Sequence, residues 1–354
     1  MNHLRSTPVI VGLLVLIALC AAGLKLEFFG TTHSGDYDTY VETAQYLMGE
    51  HVIPSSPYSI PQRLLKPFAP LLVAGLSTVM DFHTALLTQS VVLYLALVVA
   101  LYLLAYEFFG DTRRAAYVVL LSALSYPVLK YGIDVYTETG ALFFYVLSLY
   151  FTLRFSKAPT WSVFAANIVT VTLGFLWKEY SVVSGIIFGF VILFHPDVSW
   201  KKKSAYISLF AALVAVVSVP IQVYVLRAFD FSFLTWFTKG GSNGFGYEFT
   251  LKNIVKSTAA LLGLAWLLVP SGLMRLQALD AWKRRFLYAA LPVPLMGFAW
   301  GYVSSRLLYV IAIPYVLVAI LGLSTWNKHA QYVFVALAII ADCAWLFLSY
   351  RITL

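Results

Sequence analysis

Four carboxylates lie together in one short polar stretch of an otherwise apolar chain. The stretch SGDYDTYVETAQYLMGE, residues 34–50, follows a first hydrophobic segment and contains Asp36, Asp38, Glu42 and Glu50. A carboxylate fixed at a membrane surface can accept the proton of an attacking hydroxyl group. We therefore predict that Asp36 or Asp38 is a catalytic base. Each could instead serve only to cap a helix N-terminus, a position where Asp is favoured.

Positive charge that could receive a leaving group follows a little later in the sequence. Arg63 and Lys66 lie in the segment IPQRLLKPFAP, and cations of this kind can stabilise the charge that develops on a departing group. A lysine near the end of an apolar span often only extends its side chain toward water. Further charged candidates stand near the ends of later apolar segments: Asp134, Glu138, Lys178, Glu179 and Arg306.

Several of these later candidates have a structural alternative. Asp134 and Glu138 are four residues apart, so they share one helix face and could bind an acceptor or a sugar. They could equally be acids that only favour the start of a helix. Lys178 and Glu179 are adjacent and need not pair, and Glu179 could be a solvated loop charge.

The composition excludes a soluble globular protein. Of 354 residues, 61% are hydrophobic and only 11% are charged, with a mean hydropathy of +0.83; soluble domains carry roughly a quarter charged residues. The net charge of +8 does not indicate nucleic-acid binding, because the basic residues are scattered between apolar spans. Cys20 and Cys343 both lie in hydrophobic segments, so the sequence predicts neither a disulfide framework nor a cysteine zinc site.

Recurring apolar stretches predict an all-α, polytopic integral membrane protein. We expect about 11 transmembrane helices plus outer juxtamembrane helices. They would form a single domain, residues 1–354, with outer loops at 25–65 and 227–252. The first apolar run resembles a signal peptide but is long for one, so we interpret it as an uncleaved span. The expected spans are 8–24, 84–106, 115–131, 138–154, 160–176, 180–195, 204–226, 253–272, 286–303, 307–324 and 330–350.

The basic loops predict the orientation of the chain in the membrane. The segment 66–80 is apolar but short, which is typical of an interfacial or re-entrant helix. If it does not cross and the N-terminus is cytoplasmic, the loops containing DTRR, SWKKK and AWKRR all face the cytoplasm, as the positive-inside rule requires. The candidate site residues then share the non-cytoplasmic face. We therefore expect a multi-pass protein of the plasma or inner membrane with its site on that face.

The polar stretch itself should form a helix. From Asp36 onward, apolar residues recur at helical spacing, and Gly49 would end the helix. We expect this helix to lie flat at the interface with its apolar face in lipid. That face contains Tyr40, Val41, Ala44, Leu47 and Met48.

The order of these motifs resembles the GT-C membrane glycosyltransferases. The pattern D-x-x-x-Y-x-x-x-A, made by Asp36, Tyr40 and Ala44 after the first span, is similar to the first outer loop of that superfamily. The resemblance is strongest to its protein O-mannosyltransferase and 4-amino-arabinose transferase group. An Asp–Glu pair opens the motif there, whereas here Tyr37 stands at the Glu position and Asp38 follows it. Further resemblances follow in the same order at Lys66–Pro67, Asp134, Glu138, Lys178 and Arg306.

The resemblance implies a sugar donor carried on a polyprenyl phosphate and transferred with inversion to an acceptor hydroxyl group. Asp36 would be the general base, with Asp38 as a second catalytic carboxylate. Four cations would bind the donor phosphate: Lys66, Arg63, Lys178 and Arg306. Apart from the resemblance, the residues themselves give four candidates for binding the acceptor or the sugar: Asp134, Glu138, Glu179 and Tyr247. Tyr247 belongs to the Gly-rich loop FTKGGSNGFGYEFT, which could cover a sugar or a lipid, or only connect two spans.

The sequence leaves alternatives open for the cofactor, the partners and the function. We expect no cofactor; His33, Asp36, Asp38 and His51 have the residue types of a divalent-metal site but no spacing that fixes them together. The expected partners are a polyprenyl-phosphate-linked sugar and membrane lipid, not nucleic acid. We expect a lipid-borne or glycan acceptor, since the chain ends soon after its last span. A transporter or flippase for a lipid-linked glycan, and a non-enzymatic assembly protein, are the alternatives.

Overall fold

The computed structural model describes residues 2–32, 35–236, 250–295 and 305–351. These residues form helices joined by turns and contain no β-strand, so the expected all-α class is confirmed. The helices are α1 (Asn2–Phe29), α2 (Gly35–Leu47), α3 (Ser59–Leu64), α4 (Phe68–Leu76), α5 (Phe82–Phe109), α6 (Thr112–Ala123), α7 (Tyr126–Gly132), α8 (Glu138–Lys157), α9 (Trp161–Trp177), α10 (Val182–Leu193), α11 (Trp200–Phe229), α12 (Phe233–Thr235), α13 (Leu251–Leu262), α14 (Val269–Leu273), α15 (Ala281–Ala290), α16 (Ser305–Leu323) and α17 (Lys328–Arg351). Short 3₁₀ helices lie between them, among them Glu179–Ser181, Gly263–Leu268 and Leu276–Ala278.

Six helical segments of the described chain are long and apolar enough to cross a membrane. They are α1 from Thr7 onward, α5, α8, α11, the composite segment Leu251–Leu273 and α17. The pair α6 and α7, bent by 57°, would be a seventh, and three shorter apolar helices lie at Trp161–Trp177, Glu179–Leu193 and Tyr309–Leu323. All of these coincide with predicted spans. The remaining predicted span, 286–303, begins in α15 and runs into residues outside the described part, so the count of eleven stays a prediction.

The distribution of apolar surface confirms a multi-pass membrane protein. α5 and α8 pack against each other at the centre of the bundle, where Tyr94, Leu97, Tyr145 and Leu149 are fully buried. α11, by contrast, is apolar and almost entirely exposed along its length. A helix with that composition and that exposure is stable in lipid rather than in water.

The first outer loop folds into α2, as the spacing of its apolar residues predicts, but the prediction that this apolar face lies in lipid is wrong. Tyr40 and Ala44 are buried, and they pack in one cluster with Ala69 and Val73 of α4 and Ala85 of α5. The reason is that α4 offers a second apolar surface next to α2. The face therefore finds protein partners, and α2 is fixed rigidly against the bundle.

The segment predicted not to cross the membrane contains α4, which has only nine residues. At 1.5 Å per residue it is about 14 Å long, half of what a hydrocarbon core of about 30 Å requires. Its first residue, Phe68, meets the ring of Trp177 edge-on at 5.5 Å. Trp177 in turn lies against Gly140 of α8, at a place where a Cβ atom would clash with the indole. This packing ties the short outer helices to the ends of α8 and α9.

Candidate active site

Asp36 lies between two arginines from distant parts of the chain. It occupies the first turn of α2. Its Oδ1 accepts a hydrogen bond from Nη2 of Arg63, at 2.5 Å, and its Oδ2 accepts one from Nη2 of Arg306. Arg63 comes from α3 and Arg306 from the start of α16. Both carboxylate oxygens are therefore occupied by guanidinium groups brought together by folding.

Tyr40, one helical turn after Asp36, positions the first of these arginines. The guanidinium carbon of Arg63 stands 4.2 Å from the centre of the Tyr40 ring, and its Nη1 donates to the Tyr40 hydroxyl at 3.1 Å. Its Nε donates to Oγ1 of Thr39 at 2.9 Å. The Tyr40 hydroxyl is also hydrogen-bonded to Oγ1 of Thr137, at 2.6 Å. The Asp–Tyr spacing of the sequence motif thus serves to hold a cation beside the carboxylate.

Glu138, the first residue of α8, joins a second pair of cations. Its Oε1 accepts from Nε of Arg306 at 2.5 Å and from Nζ of Lys178 at 2.6 Å. Glu138 is almost completely buried. Its Oε2 is also buried and has no hydrogen-bond partner among the described residues. A buried carboxylate oxygen without a donor is a place where a ligand hydroxyl group can bind.

Lys66 and Glu179 form a third ion pair beside the first two. Nζ of Lys66 donates to Oε2 of Glu179 at 2.5 Å and stands 5.0 Å from the centre of the Trp236 ring. Lys66 is only 3% exposed. Lys178 and Glu179 therefore pair with different partners, as expected for adjacent residues. Trp236 follows α12, so the second outer loop reaches the site at its first residues.

Two tyrosines, Tyr180 and Tyr309, lie beside the cluster at the start of α8. The hydroxyl of Tyr309 donates to the backbone carbonyl of Glu138 at 2.5 Å and is hydrogen-bonded to the hydroxyl of Tyr180. The guanidinium of Arg306 also stands 4.4 Å from the centre of the Tyr136 ring. These contacts fix the start of α8 and the arginine that bridges Asp36 to Glu138.

Positive charge exceeds negative charge in this cluster. Arg63, Lys66, Lys178 and Arg306 contribute four cations, and Asp36, Glu138 and Glu179 contribute three carboxylates, which leaves one positive charge among the described residues. Burial would raise the pKa of Asp36, but Arg63, Arg306 and Lys178 outweigh it and hold that pKa well below its usual value. Burial lowers the pKa of Lys66, and Glu179 opposes this only in part. The cluster is suited to bind an anion.

Comparison with known proteins points to one group of membrane enzymes. Residues 65–222 match the family described as dolichyl-phosphate-mannose-protein mannosyltransferase. The fold is similar to ArnT from Cupriavidus metallidurans bound to undecaprenyl phosphate, with a TM-score of 0.69 and 14% identity over 94% of this chain and 63% of that one. Apo ArnT gives a TM-score of 0.67 and 15% identity, with coverage of 94% and 63%. The Archaeoglobus fulgidus oligosaccharyltransferase, in complex with zinc and sulfate, gives 0.60 and 17%, with coverage of 97% and 52%.

A search of curated proteins finds no match. The fold and the family match nevertheless agree. The family model covers less than half of the chain, and the solved structures share its fold, so what is shown is a GT-C fold. The resemblance inferred from the short motifs is thereby confirmed. At these identities the solved structures show a shared GT-C fold, and the chain spans 63% of the length of the ArnT chains it matches.

The fold brings together most, but not all, of the residues singled out in the sequence. Asp36, Arg63, Lys66, Glu138, Lys178, Glu179 and Arg306 form the cluster described above. Asp38 is exposed and takes no part in the ion pairs of the described chain. Tyr247 and His33 lie outside the described residues. Among those that are described, no three His, Cys, Asp or Glu side chains gather as metal ligands.

Asp134 belongs to a separate, closed pair with Lys25. Nζ of Lys25 donates to Oδ2 of Asp134 at 2.9 Å and to the carbonyl of Gly30 at 2.8 Å. The remaining capacity of Asp134 is filled by the backbone N–H and hydroxyl of Thr32 and by the N–H of Val135. Nothing is left on this carboxylate for a sugar. Sequence reasoning missed Lys25, because a lysine near the end of a span carries no signal of a partner 109 residues away.

Tyr180 and Tyr309 were missed as well. The only sequence signal is their position, since Tyr180 follows Lys178–Glu179 and Tyr309 follows Arg306 by three residues. That spacing places Tyr309 beside Arg306 on one face of α16.

Proposed function

We propose that the protein is a glycosyltransferase that moves a sugar from a polyprenyl-phosphate donor to an acceptor hydroxyl group, with inversion and with Asp36 as general base. The observation that carries the proposal is Asp36 held between Arg63 and Arg306 in a partly buried cluster where cations outnumber carboxylates. Such a cluster combines a proton acceptor with binding groups for a phosphate. ArnT, which shares the fold, was solved bound to undecaprenyl phosphate. The site would lie on the non-cytoplasmic face of a plasma or inner membrane.

The charges balance in such a reaction. A bond forms between the acceptor oxygen and the anomeric carbon, and the bond from that carbon to the phosphate oxygen breaks. The acceptor proton passes to Asp36, while the bonding electron pair leaves with the polyprenyl phosphate, which changes from a monoanion to a dianion. The negative charge that Asp36 loses therefore reappears on the phosphate. Arg306 can follow it there, because it already contacts the carboxylate, and Arg63 would bind the phosphate from its place beside Asp36.

A base with a strongly lowered pKa is a weak base, and this sets a condition on the mechanism. Asp36 can accept a proton efficiently only if at least one of its arginines leaves it. Donor phosphate would supply the reason, since phosphate oxygens attract the same guanidinium groups. Arg306 is the candidate to move, because Glu138 and Asp36 share it. Arg63 is fixed by Thr39 and Tyr40 and would stay. Donor binding would thus switch the base on.

The other residues would divide the remaining roles. Lys66 and Lys178 would bind the donor phosphate with the arginines. Glu138 would accept a hydroxyl of the sugar or acceptor at its unpaired Oε2. Glu179 would orient Lys66, and Tyr247 would contact the acceptor or the sugar. We propose that the reaction does not require a metal ion. We also propose that the acceptor hydroxyl group belongs to a lipid or a glycan.

The test is transfer by the purified full-length protein in detergent or liposomes. We expect a sugar supplied on a polyprenyl phosphate to be transferred to a lipid or glycan hydroxyl group, and NMR of the product to show an inverted anomeric centre. Asp36→Asn should abolish transfer. Full activity of Asp36→Asn would refute the base. Movement of the lipid-linked sugar across liposomes without any transfer would instead support a flippase.

A further inference from the structure

A cavity lies far from the charged cluster. It has a volume of about 750 Å³ and is bounded by α10, the turn that follows it, and α15. Phe190, Phe194, Tyr288 and Val293 supply apolar walls, and Arg284 and Arg285 supply the charged ones. Phe194 is 67% exposed and Tyr288 is 50% exposed. Both side chains are therefore accessible from outside the bundle.

Its distance from the candidate active site follows from α8. Nη1 of Arg285 donates to the carbonyl of Ser156, near the end of α8, at 3.0 Å. Glu138 of the charged cluster begins the same helix. Eighteen residues separate the two, which at 1.5 Å each is about 27 Å. That is close to the thickness of a hydrocarbon core, about 30 Å. The cavity therefore lies near the opposite membrane surface.

That end of the bundle is strongly basic. It collects the ends of α5, α8 and α10 and the starts of α6, α11 and α15, and their basic residues are Arg113, Arg114, Arg154, Lys157, Lys201, Lys202, Lys203, Lys283, Arg284 and Arg285. Two acids are nearby: Asp280 is paired with Lys283, at 2.9 Å, and Asp197 interacts electrostatically with Arg285 without a salt bridge. Neither Arg284 nor Arg285 has a salt bridge within the described residues. Each donates to one backbone carbonyl, of Gln277 or Ser156. A guanidinium has five donors, so both retain capacity for an anion.

We propose that this cavity binds an anionic phospholipid, with Arg284 and Arg285 on its phosphate and with an acyl chain along Phe190 and Phe194. Basic pockets between transmembrane helices suit lipid head groups in this way. The apolar walls argue against a free phosphate ion, because such an ion would leave them in contact with water. This site is independent of the sugar transfer proposed above and shares no residue with it.

The test measures lipid retention by the full-length protein in detergent, by native mass spectrometry. The probes are dioleoylphosphatidylglycerol, dioleoylphosphatidylcholine, inorganic phosphate and undecaprenyl phosphate. We expect wild type to bind phosphatidylglycerol at least tenfold more tightly than phosphatidylcholine. Arg284→Gln/Arg285→Gln should lose that preference. Lys201→Gln/Lys202→Gln, which removes the same charge from exposed residues of the same end, should keep it.

A second measurement does not depend on any variant. Phosphatidylglycerol with a photoactivatable acyl chain should crosslink wild type within residues 190–196 or 281–293. Crosslinks elsewhere, equal binding of the two phospholipids, or an equal loss in the two double variants would overturn the proposal. So would full displacement of phosphatidylglycerol by inorganic phosphate, which would assign the site to a free anion. Displacement by undecaprenyl phosphate alone would assign it to that lipid.

Discussion

Two groups of buried charges lie at the same end of the bundle and are built differently. In the pair of Lys25 and Asp134, one cation meets one carboxylate, and backbone and hydroxyl donors fill what remains of both oxygens. In the cluster around Asp36, four cations meet three carboxylates, and one buried oxygen of Glu138 has no partner in the described chain. Asp134 and Glu138 were both singled out in the sequence as candidates to bind the acceptor or the sugar, yet they belong to different groups.

We propose that this difference separates a structural role from a functional one. The closed pair joins the end of α1 to the turn before α8, and a ligand could bind there only by breaking it. The open cluster carries an excess of positive charge that only an anion can neutralise. Burial of charge alone is weak evidence for either role, because a buried ion pair is costly to desolvate. What distinguishes the two groups is whether their hydrogen-bonding capacity is filled.

The largest effect on activity should come from Asp36→Asn. The amide keeps the size of the side chain but cannot accept the acceptor proton, so we expect transfer to fall by about 10²–10⁴. The measurement is kcat for sugar transfer from a polyprenyl-phosphate donor. The melting temperature should be measured alongside, since unfolding of the variant would explain the loss without any role in chemistry. A folded Asp36→Asn protein with normal kcat would show that the cluster around Asp36 is no more catalytic than the pair of Lys25 and Asp134.

The opposite pattern is expected for Asp134→Asn. This change leaves the Lys25 ammonium buried without its counter-ion, and removal of one partner of a buried pair costs about 3–5 kcal/mol. We therefore expect a clear drop in thermal stability, with kcat per folded molecule nearly unchanged. The matched control is Lys25→Met/Asp134→Leu, which removes both charges and should recover much of the stability. If Asp134→Asn were stable but inactive, Asp134 would belong to the active site after all.

Lys66→Gln should reduce the rate of transfer by removing a cation from the leaving group. Loss of one preorganised charge stabiliser costs about 10²–10³ in kcat. The variant also leaves Glu179 without its cation, so the control is Lys66→Gln/Glu179→Gln, which restores the charge balance. We expect the control to recover stability and not activity. Recovery of activity in the control would show that Lys66 only neutralises Glu179.

The pH dependence should reveal whether the donor releases Asp36. In the free protein the pKa of Asp36 is lowered, so its ion pairs stabilise the fold above the ordinary carboxyl pKa of about 3.9 and are lost only as the pH falls below it. If donor phosphate draws Arg306 away, the pKa rises in the complex. The acid limb of kcat, which reports the complex, should then lie at higher pH than that of kcat/KM, which reports the free protein. If the acid limbs of kcat and kcat/KM fell at the same pH, the donor would not release Asp36 from Arg306.

The sequence predicted which residues belong to the open cluster better than it predicted which residues contact each other across the fold. The lengths of the apolar runs, the basic loops and the Asp–Tyr–Ala spacing were sufficient to predict the all-α class and most of the residues that gather at one end of the bundle. These signals are local in the sequence. The pairing of Lys25 with Asp134 and the burial of α2 against α4 depend on contacts between distant segments, for which a single sequence carries no spacing rule. For the same reason, the sequence predicted one role for Asp134 and Glu138. The two residues are only four positions apart, but they contact different partners in the structure.

The smallest effect is expected for Asp38→Asn, and it tests whether position in the cluster matters more than position in the motif. Asp38 is two residues from Asp36 on the same helix, so it points to another side, and its side chain is exposed. A change at an exposed site typically alters free energy by less than about 0.5 kcal/mol, which corresponds to about twofold in rate. We expect kcat and the melting temperature of Asp38→Asn to stay within that range under the conditions in which Asp36→Asn is inactive. A loss comparable to that of Asp36→Asn would mean that Asp38 reaches the reacting groups once the donor is bound, and that the open cluster is incomplete without it.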